Sequence, residues 1–388
     1  MTCPRCRRRA KFQRYGRKTV TTLLGSVVYH RALYHGCGCE TGWYPTDAEL
    51  GLLEKVTPGA AEVITLQGNL SAFDEAARKV LPKVCGLNVS ASTVRRITEG
   101  VGRDLAQRRQ RGETFGRSEP WEWHRDARGQ RCGYVSLDAT GVRQQAPDGS
   151  TAEGRMAWVA EVFNPTAAHQ KKRGRIWDAR YLSGLMSLPE IGGQLLQEAH
   201  AVGLGQADVL IGLTDGGNGL QDCLLDEVFA KLGKPAVFIL DFFHVSEHVS
   251  SFAQELFQEQ PTEAEHQTAA WCQTLKHQGG LALLQQLELL DLSNRSDALR
   301  ESRRKLCQYL RNNLHRTNYP RYVAHGWHIG SGSIESACKN VINARLDGCG
   351  MRWSEHGTHE LAQLRALFKS EPSAWDDYWS RRPTGIAA

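Results

Sequence analysis

The rhythm of apolar positions changes three times along this chain. Residues 19–34 carry β-branched and aromatic residues around Gly25, a pattern that predicts a β-hairpin. Residues 46–115 repeat at helical spacing, most clearly over 66–81. From residue 132 the pattern becomes mixed. Short apolar runs predict strands at 133–138, 156–163, 175–182, 207–214 and 236–241, with helices at 188–202 and 219–232. Residues 245–318, rich in Gln, Leu and Glu, have helical spacing and no strand run. Two more helices are predicted, at 333–346 and 355–369, the second closing the chain. No internal repeat or low-complexity tract interrupts the series.

Three strands, a helix, a strand, a helix and a strand is the order of an RNase H-like fold, in which three strands form a meander and two more add in parallel. The expected class is α/β: an RNase H-like mixed sheet with a helical insertion, preceded by a zinc-ribbon-like segment and a helical helix-turn-helix domain. The expected divisions are a cysteine-bearing segment 1–45, a helical domain 46–115, a linker 116–131, a first core part 132–244, a helical insertion 245–325, and a second core part 326–388 with the catalytic and C-terminal helices.

Composition narrows the function classes. A chain of 388 residues with 41% hydrophobic and 23% charged residues is an ordinary globular protein able to bury a large core. No run of about 18 apolar residues is present to span a bilayer, and the first residues lack the apolar core of a signal peptide. A cytoplasmic, nucleoid-associated location is expected. The formal net charge of +6 is uneven. Residues 1–120 hold 20 Lys/Arg against 11 Asp/Glu, or +9; the remainder hold 28 against 31, or −3. A basic front on a near-neutral body points to a polyanion such as DNA.

That front also holds four of the eleven cysteines. Cys3 and Cys6 form a CxxC knuckle; Cys37 and Cys39 form a tighter CxC pair beyond the expected hairpin. Four thiolates at the ends of a hairpin make a tetrahedral zinc ribbon, with His35 an alternative ligand. The seven scattered cysteines read as small buried hydrophobes. Further on, Gly86 allows a turn and Ser90 can cap a second helix. Val94 and Ile97 would then face inward, leaving Ser92, Thr93, Arg95 and Arg96 to meet a DNA groove. Helical hairpins without DNA function share this pattern.

Three acids stand where metal chemistry would need them. Asp138 ends the first strand run, Asp215 ends the run 207–214 and opens Asp-Gly-Gly-Asn-Gly219, and Glu335 follows Gly330-Ser-Gly-Ser333 at a helix start. Each has a plain alternative: a turn aspartate, an Asp-Gly turn, a capping glutamate. Together they match the ligand set for two divalent ions, Mg²⁺ or Mn²⁺, which cut and rejoin phosphodiester bonds. Asp241 closes another strand and rivals Asp215. The preference is for Asp215, whose strand should lie beside that of Asp138, with Asp241 and His244 as accessory groups. His244 and His248, spaced i, i+4, could also bind zinc, although a structural histidine is commoner. Arg345, Arg352 and Trp353 could grip a phosphate and stack on a base, or form an ordinary ion pair and core.

These residues resemble a known family. Asp241-Phe-Phe-His244, downstream of Asp215-Gly, is similar to the D-x-x-H element of Mutator-type DDE transposases. Gly330-Ser-Gly-Ser-Ile-Glu335, Arg345-Leu346 and Gly350-Met-Arg-Trp353-Ser354 match the ending of that signature. With the N-terminal knuckle, nearly the whole chain resembles bacterial insertion-sequence transposases of the Kra type. The resemblance implies an RNase H-like core interrupted by helices, with Asp138, Asp215 and Glu335 as triad. It implies cleavage and strand transfer at terminal inverted repeats of double-stranded DNA by a homo-oligomer, into a target DNA. Two departures stand out: the compressed pair Cys37-Gly-Cys39, and Asp347 where a basic residue would suit DNA better. The other function classes are an inactive DNA-binding regulator and a host nuclease of the same fold.

Overall fold

A computed structural model of the chain describes residues 1–38, 42–165, 178–217, 219–330, 332–371 and 373–381. Two compact units emerge: residues 1–107 with the segment from Trp375, and residues 108–374. Among the described residues, no helix is long and apolar enough to cross a membrane.

The first unit opens with an antiparallel hairpin, β1 (Lys11–Thr22) and β2 (Gly25–His35). It is longer than the 19–34 expected, because the added residues Lys11–Lys18 are mostly exposed, Phe12 and Tyr15 included, so burial gives them no alternating pattern. Asp47 pins the hairpin to the following turn, accepting from Lys18, Tyr29 and Arg31. Helices then take over: Pro58–Leu70, a helix from Phe73 to Cys85 that ends on left-handed Gly86, and Ala91–Gln110. Pro58–Leu70 and Ala91–Gln110 approach closely at Gly68, where an added Cβ would lie 2.2 Å from the Thr98 hydroxyl. The chain does not end with the helix Glu355–Lys369, as expected. A further helix, Ala374–Ser380, follows and belongs to this first unit. Its Tyr378 is buried and donates to Asp104 at 2.8 Å.

The second unit is built on a mixed sheet of β3 (His124–Arg125), β4 (Arg131–Gln145), β5 (Thr151–Asn164), β6 (Asp178–Gly184), β7 (Val209–Thr214) and β8 (Ala236–Leu240). The order is β6-β5-β4-β7-β8, with β3 beside β4. β4, β5 and β6 form an antiparallel meander; β7 pairs parallel to β4, and β8 parallel to β7. This is the mixed α/β arrangement expected. The third strand was expected to start at 175, but residues 175–177 lie outside the described ones.

Alternating side chains divide the sheet between two cores. Val135, Leu137, Leu182 and Leu210 pack with Ile191, Leu195, Leu224 and Phe229 of the helices that connect β6 to β7 and β7 to β8. Tyr134, Ile211, Leu213 and Ile239 pack on the other face with Val249, Phe252, Trp271, Leu310 and Tyr319. Those last residues come from the helices Phe242–Leu256, Pro261–Gln278, Asp297–Asn313 and Tyr319–His325. The helical insertion is therefore one cover of the sheet.

Residues 116–131 are not a linker. Trp123 is buried and donates from its indole to Gly203 at 3.1 Å, and β3 joins the sheet. Asp126 accepts from the backbone N–H of Arg128 (2.8 Å) and Gln130 (3.0 Å) and from the Trp327 indole (3.2 Å). Burial alone would raise its pKa, but these donors and His325 outweigh it and hold the carboxyl below its ordinary range. Asp126→Ala leaves several donors without an acceptor and is expected to cost roughly 2–4 kcal/mol of stability. Exposed Arg128→Ala should stay within about 0.5 kcal/mol of wild type. Urea unfolding checks both, and equal stabilities for the two variants would contradict the buried network.

Candidate active site

The parallel register assembles the acids. β4 and β7 pair from Cys132–Val209 to Ser136–Leu213, and Asp138 and Asp215 stand two residues beyond that last pair. β7 and β8 pair as far as Thr214–Leu240, and Asp215 and Asp241 come next. Three aspartates thus form one row across three adjacent strands. Asp215 follows the strand next to that of Asp138, and Asp241 follows the strand beyond it. One expectation needs correcting: Asp138 does not end its strand. β4 continues to Gln145 in the hairpin with β5, with Ala139 opposite Trp158 and Gly141 opposite Met156. What ends near Asp138 is the parallel partner.

Asp138 is half-buried. One carboxylate oxygen accepts the Ala139 N–H at 2.7 Å, and the other lies 3.6 Å from the Cys338 thiol, which donates to it. Burial raises its pKa and the charge of Asp215 adds to the rise; the Ala139 and Cys338 donors and His244 oppose it. Cys338 sits in a π-helical stretch, Cys338–Asn343, of the helix that begins at Gly332 and carries Glu335. Its own thiol pKa is pushed well up, first by burial and then by Asp138, so it remains a neutral donor. Thr140 and Asn343, 3.1 Å apart, tie the same helix to β4.

Asp215 is held by its turn and by the insertion. Its carboxylate accepts the Gly217 N–H at 2.8 Å, and its carbonyl accepts the Tyr309 hydroxyl at 2.8 Å. Arg316 donates to the Thr214 hydroxyl at 2.8 Å. Gly216 has φ +95°, and a Cβ there would lie 3.1 Å from Leu240 and 3.2 Å from the Tyr309 ring. Only glycine suits a left-handed turn this close to its neighbours.

Glu335 is exposed and ion-paired with Lys339 one turn on. Among the described residues, only Cys3, Cys6 and Cys37 form a His/Cys/Asp/Glu trio with ligand atoms all within 4.8 Å. The three acids therefore do not converge on a single point. Two ions about 3.5–4 Å apart would need a wider ligand set than one ion does.

Asp241 is buried and caps the helix Phe242–Leu256, accepting the Phe243 N–H at 2.9 Å. His244 and His248 bring their Nε2 atoms within 3.1 Å, and the His248 ring lies 4.7 Å from that of Tyr309. Burial, and then His244, lower the pKa of His248.

The other expected residues fall in several places. The Cys3, Cys6 and Cys37 thiols could hold a metal ion. The N–H of Cys6 leads the donors that bring the Cys3 thiol down to about 6, towards the thiolate a metal requires. Cys39 lies outside the described residues. Ser90 caps the helix Ala91–Gln110, accepting the Thr93 N–H at 3.2 Å, and its hydroxyl lies 2.9 Å from those of Ser92 and Thr93. Val94 and Ile97 are buried, and Arg95 and Arg96 are exposed, the latter 2.7 Å from Glu54. Arg345 and Trp353 are buried, with the guanidinium 4.9 Å from the ring centre and the indole donating to Leu346 at 2.9 Å. Of that trio only Arg352 is exposed. Asp347 is 3.0 Å from Arg143.

Sequence reasoning missed Glu161. It pairs with Ser136 across β4 and β5 and is fully buried. Burial lifts its carboxyl to about 8, so it is mostly protonated at neutral pH. The available signal was a lone acid in the apolar run 156–163.

A scan of protein-family models finds no match to this chain, and a search of curated proteins finds none either.

A folded pKa of about 8 against an ordinary 4.5 means that the native state keeps a proton that the unfolded state releases. Stability from this group is full below about pH 4.5 and is lost as pH rises towards 8. Glu161→Gln should remove the slope. Wild type should lose up to about 4 kcal/mol relative to the variant between pH 5 and 8. Chemical denaturation across that range checks this; a constant difference would mean that Glu161 ionises normally in the fold.

Proposed function

We propose that this chain is a metal-dependent DNA transposase of the Kra insertion-sequence type, with a Mutator-like DDE catalytic site on an RNase H-like core. The observation that carries the reading is that Asp138 and Asp215 each stand two residues beyond the last pair of the adjacent strands β4 and β7. A sheet whose three-strand meander continues into two parallel strands beside its first strand supports the fold reading. The C-terminal signature around Glu335 supports the family reading.

The residues fit divalent ions in their donor chemistry. Asp138 and Asp215 repel each other enough to help raise the pKa of Asp138, and a hard cation between oxygen donors relieves that cost. Asp138, Asp215 and Glu335 would hold Mg²⁺ or Mn²⁺. Such ions would supply Lewis-acid activation of a water or 3′-hydroxyl and charge neutralisation at the leaving oxygen. The strands fix the two aspartates. Tyr309 and Arg316 fix the turn after β7, and Asp241 holds the start of the helix that presents His244. The basic N-terminal unit would grip the inverted repeats, with Ser92, Thr93, Arg95 and Arg96 at the groove, Arg352 an exposed contact, and a structural Zn²⁺ on Cys3, Cys6, Cys37 and Cys39. Work on paired ends and a target calls for a homo-oligomer on DNA.

The Glu335–Lys339 pair favours a second reading, a DNA-binding regulator whose core is inactive. Cleavage of a duplex bearing the element's inverted repeats separates the two. Wild type should cut with Mg²⁺ or Mn²⁺ and stop with EDTA. Asp138→Asn, Asp215→Asn and Glu335→Gln should each lose at least about 1,000-fold. Asp241→Asn should lose only about 10–100-fold, as a supporting group does. A larger loss at Asp241 than at Asp215 would move the second ligand, and repeat binding without cleavage would leave the regulator.

Metal analysis tests the other site. The purified chain should carry one Zn²⁺, and Cys3→Ser should lose both the metal and stability of the N-terminal hairpin. Equal zinc content in the two proteins would exclude Cys3 as a ligand.

A further inference from the structure

The two faces of the hairpin β1–β2 are used differently. Strict alternation would put Phe12 and Tyr15, three residues apart, on opposite faces. A bulge between Phe12 and Arg14 adds one residue, and both rings reach the same face. There Phe12 stands opposite Tyr34 and Tyr15 opposite Ala32. The rings form a row: Phe12 is 5.1 Å from Tyr15 and 6.1 Å from Tyr34, and Tyr34 is 5.2 Å from Trp43. The same face continues through the pairs Arg17–His30 and Thr19–Val28.

The second face is turned to the rest of its unit. Lys18, Tyr29 and Arg31 converge on Asp47, the Arg31 guanidinium lies 3.5 Å from the Tyr44 ring centre, and Val20 is buried. The aromatic face is open. Tyr15 is 69% exposed and Phe12 48%, and Arg17, Thr19, Val28 and His30 are exposed beside them. Rings held together in water, on a face that packs on little else, mark a surface with a partner. The surroundings are free of acid. Residues 1–39 hold nine Lys/Arg and no Asp or Glu, and Asp47 is engaged on the second face.

Charge and shape select the occupant. Exposed rings among cations suit flat π-faced groups strung along phosphates. An unpaired nucleic-acid strand offers both. A duplex keeps its base faces inside the stack and offers only phosphates. A second copy of this hairpin would bring like charges together. We infer that the open face of the hairpin binds an unpaired nucleic-acid strand, with bases stacked on Tyr15 and Phe12 and phosphates beside Arg17. The proposed function places duplex contacts at Ser92, Thr93, Arg95 and Arg96; the hairpin adds a second, single-strand surface to the same unit. It needs no activity of the core.

The test uses the full-length protein and a fluorescein-labelled oligodeoxynucleotide of mixed sequence, about 12 nucleotides long, as a single strand and as a duplex. Anisotropy titrations across a salt series read the affinity. Tyr15→Ala should weaken strand binding about 5–10-fold and leave duplex binding within about twofold. Tyr15→Phe keeps the ring and should bind as wild type does. Arg17→Ala should lower the salt slope for the strand by about 0.7. Leu24→Ala, at the 99% exposed turn away from the row, should change nothing. Ultraviolet crosslinking of wild type to a strand bearing 5-iododeoxyuridine should map to Phe12, Tyr15 or Tyr34, whatever the variants do to folding. A ribo-oligonucleotide competitor tells a DNA strand from an RNA strand, and preference for either keeps the site. Crosslinks only outside residues 11–35, or equal strand affinity for wild type and Tyr15→Ala, would overturn the inference. Inorganic polyphosphate competing as well as the strand would also overturn it, by reducing the surface to charge alone. Because binding is read without cleavage, a core that fails to cut would leave these results standing.

Discussion

The parallel pairing of β4 with β7 is the constraint on which the site depends. Side chains in a sheet repeat every two residues, so a slip of one position would turn Asp215 to the opposite face from Asp138. The register is held by apolar burial on both faces. Tyr134, Ile211 and Leu213 must meet the helical insertion, while Val135, Leu137 and Leu210 must meet the connecting helices. A sheet covered on both sides has little freedom to slide. Ser136 adds a bond of its own, donating to the Leu213 carbonyl at 2.7 Å at the last paired position before the acids.

Such a row of aspartates is costly, because neighbouring carboxylates resist ionising together. Neutral groups surround it. Cys338 stays a thiol and donates to Asp138, Glu161 keeps its proton, and Tyr309 donates to the Asp215 backbone while burial raises its phenol well above the usual range. No buried cation close to Asp138 cancels its charge in the described contacts. On the Asp215 side, buried Arg316 feels the charge of Asp215 but donates its hydrogen bonds to Thr214 and Asn313. A site arranged this way keeps negative potential available to an incoming divalent ion, as the proposed function requires.

What was legible in the sequence follows from what burial imprints on it. β7 is buried along its whole length and β8 is buried towards its end, so both are apolar runs legible in the sequence, and each is followed by an aspartate. Ala139-Thr-Gly141 has the composition of a turn, yet β4 continues through it as a strand paired with β5 and bridged at Gln144 to Trp353. The hairpin β1–β2 was under-read for a related reason: strands exposed on both faces need no alternation. Residues 116–131 looked like a linker because Arg and Gly dominate parts of it, whereas the buried anchors Phe115, Trp123 and Asp126 are widely spaced. Glu161 was hidden because strand composition does not reveal which side of a partner strand an acid faces. Arg345 and Trp353 carry a motif, but a motif does not distinguish a contact with DNA from a guanidinium stacked inside the fold.

The three acids differ in how firmly they are held, and the difference has a chemical use. Asp138 and Asp215 are set by strands, by backbone N–H donors at 2.7 and 2.8 Å, and by the insertion. Glu335 is exposed and engaged by a single lysine on its own helix. An exposed i, i+4 pair contributes only about 0.3–0.5 kcal/mol, so exchanging Lys339 for another cation costs little. The π-helical stretch after Ala337 turns Cys338 and Asn343 towards β4, anchoring this helix while the Glu335 side chain stays exposed. Under the proposed function the two strand aspartates define where the phosphate must lie, and the helix glutamate completes the ligand set as metal and DNA arrive. A reaction that must first gather two DNA ends is better served by a site completed by its substrate than by one that is ready to cut any duplex it meets.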